Sequence, residues 1–305
     1  HVGQVYFRAR CSCGRRNFRR SGNQAGRKTP VIGVRFASLG SGSEGNSWLF
    51  ECRLTDTPTR LMVDCGFAVK ETVGRLERVG LTPQDVDAIV VTHEHGDHIG
   101  GVFKFSRKFG TPVYLTHGTW RAALRSKLSD EDYLQSGKVV LIESHAAFNV
   151  KNLTLHPFPV PHDAAEPIQM LIESRSGFVT GILTDCGSAT PHLISMLNKA
   201  HALILESNHC PEMLSNSPYP PSLKKRVGGD YGHLSNQVAC DILRKLDSGN
   251  LQFVVAAHLS QTTNCPKVVQ QMWAEVLTPR GIAFDIACQT EGFAWISLDS
   301  QQVAA

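Results

Sequence analysis

No stretch of this chain reaches the roughly 18 unbroken apolar residues that a membrane-spanning helix needs. Charged residues are few, at 19%, against 42% hydrophobic, which excludes a disordered or fibrous chain and fits a globular one. No CxxC pair occurs. The nine cysteines are odd in number, and only Cys11 and Cys13 lie close together. That pattern fits buried, unpaired thiols in a reducing compartment rather than a disulfide scaffold. The N-terminus lacks the apolar run of a secretory signal, so a cytoplasmic location is expected. Acid is also missing from residues 1–30, which hold eight of the 31 basic residues. The rest of the chain therefore has 23 basic against 27 acidic residues, and the formal charge of +4 belongs to the tail. Nucleic acid could be held by a local patch of this body, but not by its bulk charge.

Residues 1–30 lack periodicity and open on His rather than Met. They read as a disordered basic extension, or as residues upstream of the true start; a basic arm or transit peptide is the alternative. From 31 to 305 one domain is expected. The runs VRFASLG, SWLFEC and RLMVDCG read as short strands, and Ala68–Gly80 reads as a helix. Further strands are expected at AIVVTH, PVYLTH, LTLHPFPV, QMLIES, FVTGILTD, ALILES, FVVAAHLS, AFDIAC and AWISL. Helices are expected near 99–109, 118–128, 190–200, 235–246 and 266–277. In the last, Val269, Met272, Trp273 and Val276 form a core stripe. A meander followed by strands alternating with helices predicts an α/β architecture, sheets packed on each other with helices outside. The segment GSGSEG (40–45) fits GxGxxG, but a strand-like NSWLFEC follows it instead of a helix. A hairpin loop is the better reading.

The segment THEHGDHIGG (92–101) follows an apolar strand and precedes an apolar helix. Alternate residues at a strand end share one side, so His93 and His95 face a common point. The turn through Gly96 carries Asp97 and His98 toward a second point nearby. Imidazoles and a carboxylate suit zinc, manganese or iron.

HxHxDH is the signature of the metallo-β-lactamase fold, and the chain resembles that superfamily over about residues 32–300. The resemblance implies an αββα sandwich of two mixed sheets. It further implies two divalent metal ions, zinc or manganese. His93, His95 and His162 would hold one, Asp97, His98 and His258 the other, with Asp185 between them. Asp64 would support the site from behind. Two such ions can share a hydroxide that attacks a carbonyl or a phosphorus.

The segments SLGSGSEGNSWLFE, LILESNHCPEML, PYPPSLKKRVGGDYGHLSN and AAHLSQTTNCP resemble the bacterial YycJ/WalJ-type proteins, described as metal-dependent 5′→3′ exonucleases on DNA with a proposed role in mismatch repair. Cys210 departs from that pattern, standing where an acid is expected. The 72 residues between Asp185 and His258 are too few for the extra domain of the β-CASP nucleases. DNA is thus the expected partner, with no membrane. Asp97 is expected to orient the hydroxide. His233 is expected to bind phosphate or protonate the leaving oxygen, with Asn208 and His209 near the substrate. Lys224, Lys225 and Arg226 fit a DNA-backbone patch and a solvated helix face equally. The rival expectation is an ester or thioester hydrolase of the glyoxalase II kind, which the same ligands would serve; a non-catalytic binding module would call for a broken ligand set.

Overall fold

Two runs of β-branched and aromatic residues, each followed by helices of period 3.6, build two similar halves. The computed structural model describes residues 33–53, 57–247 and 249–298. The expected extension at 1–30, with Cys11 and Cys13, lies outside them. In chain order the first half contains β1 (Gly33–Gly40), β2 (Ser47–Arg53), β3 (Thr59–Val63), α1 (Val69–Arg78), β4 (Ala88–Val90), α2 (Gly96–Ile99), α3 (Val102–Phe109), β5 (Val113–Thr116), α4 (His117–Arg125), α5 (Glu131–Gln135) and β6 (Val139–Ile142). There follow β7 (Phe148–Val150), β8 (Leu153–Pro159), β9 (Ile168–Ser174), β10 (Val179–Leu183), α6 (Pro191–Leu197), β11 (Ala202–Glu206), α7 (Pro211–Ser215), α8 (Pro221–Val227), α9 (Asn236–Lys245), β12 (Phe253–Ala257), α10 (Pro266–Leu277), β13 (Ala283–Ile286) and β14 (Phe293–Leu298).

Each half supplies most of a seven-stranded mixed sheet. The first has the order β14-β1-β2-β3-β4-β5-β6 and the second β13-β12-β11-β10-β9-β8-β7. Pairing is antiparallel as far as β3 and β10, then parallel through β4–β6 and β11–β13. The sheets pack face to face through Phe36, Phe50, Leu61, Met170, Ile172, Ile204 and Val255, all at most 2% exposed. Helices cover the outer faces. α1, α3 and α4 bury Leu76, Phe105 and Trp120 on one side, and α9 and α10 bury Leu243, Val269 and Trp273 on the other. This is the expected sandwich. Its expected core stripe on α10 is buried, with Met272 only partly so. Phe50→Ala empties the centre between the sheets and is expected to cost about 3–5 kcal/mol, read as a lower urea midpoint at unchanged slope.

Some boundaries differ from the sequence reading. The ladder of β4 stops at Val90, three residues before the expected end, because residues 91–95 leave it to present the His93 and His95 side chains. The helix expected at 99–109 is two helices broken at Gly100–Gly101. There Gly101 donates to Cys65 O, and a Cβ on it would stand 2.0 Å from Phe67 O. GSGSEG is the β1–β2 hairpin loop, not a helix entry.

The parallel strands end on one rim. Asp64 follows β3, Thr92 and His93 follow β4, Asp185 follows β10, Glu206 ends β11, and His258 follows β12. Carboxyl ends of parallel strands are where open α/β sheets place ligands. The two sheets are tied there, since Ile168 N donates to Thr92 O.

Candidate metal centre

The rim strands and the turns after them converge on a cluster of imidazoles and carboxylates. Three of these residues hold left-handed backbone without being glycine: Asp64 (φ 59°), Asp185 (φ 53°) and His258 (φ 54°). Such angles cost energy and persist where surrounding structure enforces them. Each lets the chain turn off its strand while its side chain points inward.

The hydrogen bonds fix the tautomers. His98 Nδ1 donates to Asp64 Oδ2 at 2.8 Å. His93 Nδ1 donates to Thr92 Oγ1 at 3.0 Å, because that hydroxyl donates in turn to Asp64 Oδ2 at 2.9 Å. His162 Nδ1 donates to Gly232 O at 3.0 Å, and His258 Nδ1 faces Glu206 Oε1 at 3.2 Å. Four Nδ1 atoms are thereby engaged away from the cluster, and the four Nε2 atoms are turned inward. His95 faces the group through Nδ1, which is 3.1 Å from His162 Nε2.

Two sets of lone pairs result. His93, His95 and His162 bring three ligand atoms within 4.8 Å of one another, and so do Asp97, His98 and His258. Asp185 lies between the sets. Its Oδ2 is 2.9 Å from His98 Nε2, and its Oδ1 is 3.6 Å from His258 Nε2 and 4.0 Å from His162 Nε2. His93 Nε2 is buried and has no hydrogen-bond partner among the described residues. Imidazole nitrogens and carboxylate oxygens converging at this spacing, with His93 Nε2 orphaned among them, form a donor set suited to a divalent cation. The structure thus brings together all seven residues that the sequence resemblance implied, with Asp64 behind them.

The charges agree. Burial works against a proton on His258 and His98, yet Asp185 and its neighbouring carboxylates hold His98 well above the ordinary imidazole range and His258 at about 10. Burial, and the imidazoles around it, push His93 well below that range. Against their own burial, Asp185 and Asp97 are held well below the usual carboxylate range, Asp185 by His258 and His98 and Asp97 by His98. The cluster draws positive charge.

The neighbours include residues the sequence reading missed. Glu206 is fully buried, and both its oxygens are occupied. Oε2 accepts from Cys186 N (2.9 Å) and Leu234 N (3.1 Å), and Oε1 accepts from His233 Nδ1 (2.8 Å). Against its burial, His233 brings its carboxyl down to about 2. The signal was an acid ending a fully apolar strand between the two strands that precede Asp185 and His258. Asn46 lies in the hairpin loop. Its Nδ2 donates to Asp97 Oδ2 (3.2 Å) and Gly42 O (3.0 Å), and its backbone N donates to Asp97 O (2.8 Å). No sequence pattern shows that this loop folds over the ligand turn. Ser41 Oγ accepts from His258 N at 2.9 Å.

His233 stands 3.4 Å from Asp185. Asn208 donates to the His258 carbonyl at 3.0 Å, so it braces that turn. His209 is buried with Nδ1 unpartnered, and burial brings it down to about 4. Cys210 stands at the N-cap position of α7 without a side-chain cap bond, and its backbone N donates to Thr263 O. Of the three basic residues on α8, Lys224 donates to Ser215 O (2.6 Å) and Arg226 grips Asp163 (2.5 and 3.2 Å), while Lys225 has no hydrogen bond or ion pair among the described residues. The seven described cysteines are unpaired, and no helix of the described residues is long and apolar enough to cross a membrane.

Two face-to-face mixed sheets with these donors on one rim define a metallo-β-lactamase fold. Solved structures agree. The metallo-β-lactamase-fold protein YhfI from Bacillus subtilis matches 87% of this chain and all of its own at a TM-score of 0.64 and 16% identity. Zn²⁺-bound PqqB from Methylobacterium extorquens matches 87% of this chain and 99% of its own at 0.60 and 18%. A family model described as the beta-lactamase superfamily domain matches residues 59–258. Exodeoxyribonuclease YycJ from Bacillus anthracis is 31% identical over 262 residues, 84% of this chain and 95% of that one. Exodeoxyribonuclease WalJ from Streptococcus pneumoniae is 31% identical over 234 residues, 76% and 84%. The chain belongs to the beta-lactamase superfamily, in the family of these WalJ and YycJ proteins.

Proposed function

We propose that the protein is a metal-dependent exodeoxyribonuclease that hydrolyses DNA phosphodiesters from the 5′ end. The observation that carries this is the convergence of imidazoles and carboxylates in a chain 31% identical to exodeoxyribonucleases. The glyoxalase II alternative is not favoured, since these relatives are nucleases. We read residues 31–305 as one domain working in the cytoplasm.

In this reading two divalent cations, zinc or manganese, bind. His93, His95 and His162 would hold one, and Asp97, His98 and His258 the other, with Asp185 facing both sets of donors. Bound cations supply Lewis acidity and lower the pKa of water. The chain's own residues do the rest. Asp64 and Thr92 fix the rings of His98 and His93. Asp97, held by Asn46, orients the attacking water. Glu206 engages His233 Nδ1, so Nε2 is the free nitrogen. Although burial opposes it, Glu206 raises His233 above the ordinary imidazole range, which suits a proton donor to the leaving oxygen.

Nucleotide release from a 5′-phosphorylated DNA duplex with Mn²⁺ tests the reading. Release by wild type and about 10²-fold less or lower by Asp97→Ala is expected. No release by folded, metal-loaded wild type would overturn it.

A further inference from the structure

The chain crosses from one sheet to the other between β13 and β14, and this crossover runs along the rim that carries the metal centre. At one end Ala287 N donates to Ala256 O at 2.8 Å, two residues before His258. At the other, Phe293 pairs with Ser38 of β1. Between them lies Gln289, polar yet only 7% exposed. A buried amide needs a partner for its oxygen and for its nitrogen. The β1–β2 hairpin loop, 245 residues away in sequence, supplies both. Gln289 Oε1 accepts from Glu44 N at 3.2 Å, and Nε2 donates to Glu44 Oε2 at 2.7 Å. The Gln289 carbonyl accepts from Arg75 Nη1 at 3.2 Å, and the same nitrogen donates to Leu39 O near the end of β1. The amide rests directly on Gly42, where a Cβ would stand 2.3 Å from Oε1 and 3.0 Å from Cδ.

From Gly42 the contacts lead to one half of the donor cluster. Gly42 N donates to Asn46 Oδ1 at 2.9 Å, and Asn46 Nδ2 lies 3.2 Å from Asp97 Oδ2 and 3.1 Å from His98 Nε2. Ser41 Oγ accepts from His258 N at 2.9 Å. This loop therefore touches Asp97, His98 and His258. Among the described residues it makes no hydrogen bond to His93, His95 or His162; Thr92 and Gly232 hold the rings of His93 and His162 instead. The bracing is one-sided.

Resting on the two-cation reading, we propose that Gln289 is a positioning residue for one set of donors. Its amide clasps the hairpin loop, the loop sets Asp97, His98 and His258, and affinity for the cation those three would hold depends on the clasp. Outer partners that orient metal ligands are worth about 10–100-fold in affinity. Gln289 acts one layer further out, through Gly42 and Asn46, which places its effect at the lower end of that range. The His93, His95 and His162 set is indifferent to it.

Equilibrium dialysis of the full chain against graded Mn²⁺, with bound metal read by elemental analysis, tests this. Wild type is expected to take up two ions. Gln289→Ala is expected to bind one ion as wild type does and the other about tenfold more weakly. Gln289→Glu sets a second carboxylate against Glu44 and is expected to weaken the same ion. Adding Glu44→Gln gives that carboxylate a donor again and is expected to restore uptake to within about twofold of wild type. A general loosening of the fold would weaken both ions, and exchanging the two head groups would not repair it. Should Gln289→Ala fail to fold, Gln289→Glu with and without Glu44→Gln carries the same comparison. Equal weakening of both ions, wild-type uptake by the folded single variants, or no rescue by the exchange would overturn the role of Gln289 and leave the two-cation reading standing. Uptake of fewer than two ions by wild type would sink that reading and the positioning role with it.

Discussion

Asp185→Asn is expected to lower DNA turnover by about 10³-fold or more, on the order of 4 kcal/mol of transition-state stabilisation. The replacement is nearly isosteric, and asparagine tolerates the left-handed backbone that Asp185 holds. The change is therefore almost purely one of charge and of ligand strength. Asp185 is the one carboxylate that faces both donor sets, through Oδ2 toward His98 and Oδ1 toward His162 and His258. Asparagine offers a weaker oxygen and an amide that repels a cation. Metal content by elemental analysis should fall with activity, while the far-ultraviolet circular dichroism spectrum stays that of wild type. Turnover within tenfold of wild type would show that Asp185 does not join the two sets.

Gly66→Ala is expected to cost about 3 kcal/mol or more, or to prevent recovery of folded protein. A Cβ there would meet Asp97 O at 1.8 Å and Asp97 C at 2.4 Å, with Asn46 N at 3.0 Å. All three are backbone atoms, so no rotamer change relieves the clash. Gly66 N also donates to Asn46 O, which locks the turn after β3, the hairpin loop and the ligand turn together. Moving any of them displaces Asp97. Gly74→Ala is the matched control. It sits on the exposed face of α1 with nothing within 4 Å of the added carbon, and it should stabilise by roughly 0.5–1 kcal/mol. Urea unfolding of the two variants should move the midpoint in opposite directions. A Gly66→Ala protein as stable as wild type would mean that the three segments are not packed as described.

Much of the centre was legible because histidine and aspartate are conspicuous where an apolar strand ends. His93, His95, Asp97 and His98 stood out on spacing alone. His162, Asp185 and His258 needed the order of the whole set and the resemblance it carried. Glu206 and Asn46 were not legible in the same way. Glu206 matters because parallel pairing puts β11 between β10 and β12, and Asn46 because a hairpin folds over a turn 51 residues away. Among the elements, β6, β7, α5, α7 and α8 escaped the pattern reading. Apart from α8 they run three to five residues, too short to show a period. α8 buries no residue fully, so it carries no apolar stripe. Its basic residues invited a patch reading that the structure narrows to Lys225, because Lys224 and Arg226 are committed to Ser215 and Asp163.

The left-handed backbone at Asp64, Asp185 and His258 sets thermal robustness against retention of function. At each position glycine removes the conformational cost, and asparagine reduces it. A laboratory selection that rewards only heat resistance in the presence of a chelator would favour such replacements and erode the centre. Selection with divalent cation in excess reverses the incentive, because ligand binding to the folded state adds stability that only the original side chains can collect.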